Sequence, residues 1–445
     1  MVDISIINTK AVNENQIKDV DLYIENGRIK KISSGLPPLG KVIDAQGMLL
    51  FPGVIDDQVH FREPGLTNKG NINSESKAAV AGGTTSYMDM PNVLPPTLNH
   101  SELEKKNQIA SKDSLANYSF YLGATNTNIE EIKSIDPTKT CGIKIFMGSS
   151  TGDLLVDNAE SLESIFRESK VVITTHCEDS PMIRKNEEIY GKRFGENIPV
   201  KFHSDIRSRE SCLKSTTYAI NLAKKFNSQL HVLHVSTKEE LDLFNSGSVE
   251  NKKITAEACI PHLFFSSKDY ELKGSLIKCN PSIKELSDQL ALRNALKTGK
   301  IDYVATDHAP HTLEEKRLSY LYCPSGMPSV QHTLLSVIDL VDNKVLSLEE
   351  VPKVTSHNVA IRFNVKERGF IREGYWADLV LVERGEKNIV RNSDTLYKCG
   401  WSPFEGYTFK SRINETIING IRVYSNGEFL TNSPGKRLEF RRERQ

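Results

Sequence analysis

Polar residues with metal-binding or acid–base chemistry sit where short apolar runs of this chain end: His60, Asn92, Lys144, His176, His234 and Asp307. In Gln58-Val59-His60-Phe61-Arg62 an apolar run passes into alternating polar residues. Side chains at i, i+2 and i+4 of a strand share a face, so Gln58, His60 and Arg62 are expected to point the same way. His60, His176, His234 and Asp307 form a donor set suited to zinc or a similar divalent ion. Such an ion lowers the pKa of a bound water. An aspartate beside it can take a proton from that water and return it to a leaving nitrogen. A lone histidine near a strand end is more often structural. His231, three residues before His234, is expected to face away from it, toward surrounding helices. His100, His203, His332 and His357 are read as structural or surface residues, and His262 is given no role. Lys144 lies within Gly142-Ile143-Lys144-Ile145-Phe146-Met147, and a buried lysine charge is costly unless paired or modified. Cys259 and Cys279 are read as buried, inert thiols.

The elements that must position these groups alternate. Apolar runs at Phe51–Ile55, Thr84–Met90, Tyr118–Leu122, Gly142–Met147, Val171–Thr175, Leu230–Val235, Ile254–Cys259 and Ile301–Thr306 alternate with segments of helical period. The helix candidates include Glu75–Ala81, Ala159–Ser169, Arg209–Phe226 and Ser287–Leu296. Eight strand–helix units imply a parallel sheet closed into a TIM-like (β/α)8 barrel, with the chemistry on the C-terminal rim. Residues 1–52 and 365–435 read instead as short strands. Asn26-Gly27 between two such runs is a hairpin signal. The two ends are expected to pair into a small β-sandwich flanking a barrel of residues 53–364. The charged tail Lys436–Gln445 is expected to fray.

With 445 residues the chain can bury a large core. Lys+Arg and Asp+Glu are both 57, so the formal net charge is zero, which argues against nucleic acid or an anionic membrane as partner. Seven dispersed cysteines without a CxxC suggest reduced thiols in a cytoplasmic protein. No apolar run reaches bilayer length, and no secretory signal pattern stands at the N-terminus.

These motifs resemble the amidohydrolase superfamily and, within it, the dihydroorotase family. Val54–Gly65 resembles the family's first-strand motif, Met90-Pro91-Asn92 the second, and Lys144-Ile145-Phe146-Met147 the segment carrying a carboxylated lysine that bridges two metals. Thr175–Asp179 and Leu233–Thr237 resemble the segments that give one histidine ligand each. Ala305–His311 resembles the eighth-strand signature. Lys278-Cys279-Asn280-Pro281 resembles a substrate-contacting segment. Gly374–Val380 and Ser402–Gly406 resemble the closing β segments. The resemblance implies metal ligation by His60, Lys144, His176, His234 and Asp307, with Asp307 also the catalytic base. It implies one or two Zn2+ bridged by carboxylated Lys144, and a substrate pocket of Arg62, Asn92, Asn280 and His311. The implied reaction is reversible cyclisation of N-carbamoyl-L-aspartate to L-dihydroorotate in pyrimidine synthesis, its carboxylate held by Arg62. The chain departs from the family at Gln58, where a ligand histidine is usual; an amide is the poorer zinc ligand, which implies a filled second metal position and a weak first one. Two alternatives stay open: a catalytically silent assembly protein of this type, and a related hydantoinase, dihydropyrimidinase or allantoinase. The implied partners are a small-molecule substrate, a second or further copies in a homodimer or homotetramer, and aspartate transcarbamoylase.

Overall fold

The computed structural model describes residues 2–148, 154–432 and 435–442. Its centre is an eight-stranded parallel barrel. The strands are Val54–Val59, Thr84–Asp89, Asn117–Phe120 continuing as Leu122–Gly123, Gly142–Phe146, Val172–His176, Leu230–Val232, Ile254–Cys259 and Tyr303–Ala305. Hydrogen-bonded ladders run through the first three strands and from the third to the eighth. The seam between the eighth and first strands is closed more sparsely. It holds a bridge of Val59 with His308, a His60 N–H bond to the His308 carbonyl at 2.7 Å, and a Thr306 hydroxyl bond to Asp56 at 2.6 Å.

The expected run Phe51–Ile55 is divided at Gly53. Leu49–Pro52 belongs to the flanking sheet, and Val54 opens the barrel. A side chain at Gly53 would meet the Thr85 hydroxyl at 2.0 Å, so only glycine lets the chain pass from one layer to the other.

The flanking sheet joins both chain ends. Leu49–Pro52 pairs in parallel with Ile4–Asn13 and antiparallel with Leu379–Ile389. Gln16–Glu25 and Arg28–Ser33 form the hairpin that Asn26-Gly27 signals, with φ of 51° and 76° at the two turn residues. Positive φ at both positions is the type I′ signature, whose twist suits paired strands.

Arg209–Phe226 forms as expected, and the other three candidates differ only at their ends, as Ile72–Ala81, Ala159–Glu168 and Leu286–Thr298. His100–Asp113 is also helical, although its buried positions include Lys106 and Asn107. Lys106 ion-pairs with buried Asp89 and donates to the Met90 carbonyl. A charged residue that buries its head on a partner hides the apolar period from a sequence reading. The tail does not fray over its described part. Tyr118 donates its N–H to the Lys436 carbonyl and accepts from the Leu438 N–H, and Leu438 and Phe440 are buried. Residues 443–445 lie outside the described residues. No helix among the described residues is long and apolar enough to cross a membrane.

Candidate active site

Gln58 and His60 leave the first strand on one face and meet Asp307 just past the eighth. Gln58 Nε2 donates to Asp307 Oδ1 at 3.1 Å, and His60 Nε2 lies 3.2 Å from the same oxygen. Asn92 Oδ1 stands 2.7 Å from His60 Nδ1. An acceptor there holds the proton on Nδ1 and turns the Nε2 lone pair into the pocket, the usual support for a ligand imidazole. Gln58 presents its carbonyl to Cys259 Sγ at 3.4 Å.

A second group faces the first. His176 ends the fifth strand, and its Nδ1 lies 3.0 Å from His234 Nε2. Two ring nitrogens at this distance need a proton or a cation between them. His176 Nε2 is held by Glu178 at 2.8 Å, and Glu178 is ion-paired with Arg207. Burial alone would raise the Glu178 carboxyl; Arg207 and His176 overcome it and pull it down to about 2. Burial pushes both His176 and His234 below the ordinary histidine value, so both rings are neutral, as ligands must be.

Lys144 is buried on the fourth strand, its ammonium 4.6 Å over the Phe146 ring. Burial lowers it to about 8, against the opposing pull of Asp307 and Glu257. A lysine this close to neutrality is available for carboxylation.

Arg62 and His311 form a cationic corner. Arg62 donates Nε to the Pro310 carbonyl at 3.0 Å and Nη2 to His311 Nε2 at 3.0 Å. Burial lowers Arg62 to about 10, still protonated at neutral pH, and burial with Arg62 beside it lowers His311 to about 3. Trp401, from the flanking sheet's segment, donates to the His311 carbonyl at 2.8 Å. Asn280 has a buried Oδ1 with no hydrogen-bond partner among the described residues, a group that a ligand N–H can satisfy.

Sequence reasoning missed several supports. Lys69 Nζ lies 3.2 Å from His311 Nδ1 and 2.7 Å from Glu315, while His308 is held by Glu75 at 2.8 Å. Only the Arg-Glu-Pro-Gly neighbourhood pointed toward Lys69. The expected direction of His231 is wrong: it points into the barrel, fully buried, against Tyr303, Glu257 and Asp57. The sixth strand ends at Val232, and His234 has a φ of 39°, so strand alternation does not carry across the three residues. Arg62 and Asp307, at φ of 69° and 48°, share this left-handed backbone. Non-glycine residues held there cluster at functional sites.

The donor types suit a divalent ion: neutral imidazoles 3.0 Å apart at His176 and His234, and a carboxylate beside His60, are nitrogen and oxygen ligands that zinc takes. The Amidohydrolase family model matches residues 49–423. The chain belongs to the amidohydrolase family, and is an enzyme of the hydrolytic class. It is 34% identical to a dihydroorotase of Methanosarcina acetivorans over 99% of this chain and 97% of that protein. It is 27% identical to an allantoinase of Desulfitobacterium hafniense over 98% of both. Its fold matches an L-hydantoinase (dihydropyrimidinase) from Arthrobacter aurescens with a TM-score of 0.93 at 24% identity, covering 99% of this chain and 100% of that one.

Proposed function

We propose that the chain is a dihydroorotase, interconverting N-carbamoyl-L-aspartate and L-dihydroorotate. The observation that carries this reading is the buried Arg62 guanidinium on His311, beside the Asp307–His60 pair. An amide ring alone gives a buried guanidinium no counter-charge; a ring bearing a carboxylate does. The dihydroorotase relatives support the same choice, and the allantoinase relatives make the ring substituent the point to test.

His176, His234 and Lys144, the lysine carboxylated, would hold one zinc ion; His60 and Asp307 would hold a second more weakly. When bound, the ion supplies polarisation of the scissile carbonyl and a lowered pKa for the attacking water. Asp307 takes the proton of that water and delivers it to the ring nitrogen as the C–N bond opens. Arg62, Asn92 and His311 fix the remote carboxylate, and Asn280 contacts the substrate beside them, so that binding energy orients the reacting amide. Gln58 spends its amide donor on Asp307 rather than offering a ring nitrogen, which is why the first metal position is the weaker.

The test is hydrolysis of dihydroorotate, hydantoin, dihydrouracil and allantoin by the purified protein, with metal content measured on the same sample. Preference for dihydroorotate supports the assignment. Faster turnover of a ring without a carboxylate refutes it.

A further inference from the structure

Beneath the mouth, one layer deeper in the barrel, Asp57, His231 and Glu257 bring one ligand atom each to within 4.8 Å of one another, all fully buried. His231 Nδ1 lies 2.9 Å from the Thr255 hydroxyl, which itself donates to the Leu230 carbonyl at 3.4 Å. A hydroxyl so engaged can accept from His231, which places the proton on Nδ1. The lone pair on Nε2 then faces Glu257 Oε2 at 3.1 Å, Tyr303 Oη at 2.9 Å and Asp57 Oδ2 at 3.7 Å. Tyr303 Oη also lies 3.1 Å from Asp57 Oδ2.

The Tyr303 hydroxyl adds a fourth oxygen to the three ligand atoms, within 3.1 Å of both His231 Nε2 and Asp57 Oδ2. Asp57 Oδ1 is buried, and among the described residues no N–H or hydroxyl donor meets it. Two carboxyl groups this deeply buried are expensive unless they are protonated or bound to a cation. The separations suit a cation: a tetrahedral zinc with bonds near 2.1 Å sets its donors about 3.4 Å apart.

We propose that Asp57, His231 and Glu257, with Tyr303 as a fourth donor, bind a divalent cation of the zinc type, distinct from any ion at the mouth. The four residues come from the first, sixth, seventh and eighth strands, so the ion ties the sparsely bonded seam where the barrel closes. The ion is a structural staple, inserted as the barrel forms. Thr255 acts through His231 by fixing its tautomer. The proposal stands apart from the dihydroorotase reading: turnover of dihydroorotate bears on the mouth alone.

The test is an anomalous difference map from crystals of the full chain grown with zinc, with data above and below the zinc edge. A peak about 2.0–2.2 Å from Asp57, His231 Nε2 and Glu257 is expected. In parallel, Asp57→Asn should contain about one metal equivalent less than the native protein, by elemental analysis. It should unfold at lower temperature while keeping the native circular dichroism. Lack of a peak between these three residues in the native crystals overturns the proposal whatever the variant does, and the groups then share protons instead.

Discussion

Replacing Arg62 with methionine removes the guanidinium and keeps a side chain of comparable length. Two of its five N–H groups are committed within the protein, that of Nε to Pro310 and one on Nη2 to His311, which among the described residues leaves Nη1 to face a substrate carboxylate. One hydrogen bond to a charged group contributes about 1.5–3 kcal/mol. At about 1.4 kcal/mol per tenfold, kcat/KM for dihydroorotate should fall roughly 10- to 150-fold. Dihydrouracil, which has the ring and lacks the carboxylate, should lose less than about threefold, since its transition state never used that bond. Arg62→Lys should fall between, because it keeps the charge and loses the planar fork. Initial rates for both substrates, with circular dichroism on each variant, decide the matter. Equal losses for the two substrates would mean that Arg62 only supports the loop carrying His311, and the anion-pocket argument would fail.

Asp307→Asn should lower kcat by about 10²–10⁴ while leaving the far-ultraviolet spectrum unchanged, the range expected for a lost general base; activity near the native level would remove Asp307 from that role. Gln58→His should raise the metal bound per chain, because an imidazole would replace an amide now turned to Asp307; unchanged metal content by elemental analysis would show that Gln58 is not what weakens the first position. Burial lowers His262, His332 and His357 to about 4 and puts His203 well below its ordinary value. In each case the unfolded chain takes up the proton first, so stability is complete above about pH 6.5 and is lost as pH falls toward the folded values. Each histidine costs on the order of 1.4 kcal/mol per pH unit in that window. Asp56 and Asp57, raised by burial to about 7 and about 6, act in the opposite sense, so the comparison is with a variant: urea midpoints of the native chain should drop more steeply between pH 6.5 and 5 than those of His332→Gln, and equal slopes would contradict the burial of His332 as a neutral group.

The local pattern made much of this protein legible. Alternating apolar runs and helical periods announced eight barrel strands, and Asn26-Gly27 announced a hairpin, because these signals depend on neighbours in the chain. Rim residues were legible for the same reason: a polar residue ending an apolar run lies at a strand's end, and in a barrel all such ends share one mouth. The division at Gly53 was not legible, since its cause is Thr85, a residue on the next strand. The helix at His100–Asp113 was hidden because Lys106 is buried on Asp89, a partner that sequence spacing does not reveal.

The sequence by itself determined which residues could serve as ligands, acid or anion holder, and roughly which strand carried each. Only the tertiary structure decided their company: Gln58 on Asp307, Glu178 between His176 and Arg207, Lys69 against His311, and His231 turned inward onto Asp57 and Glu257. Side-chain type is a property of one position. Proton count, tautomer and charge balance are properties of groups that meet across long stretches of chain, 249 residues for Arg62 and His311, and they exist only once the barrel has closed.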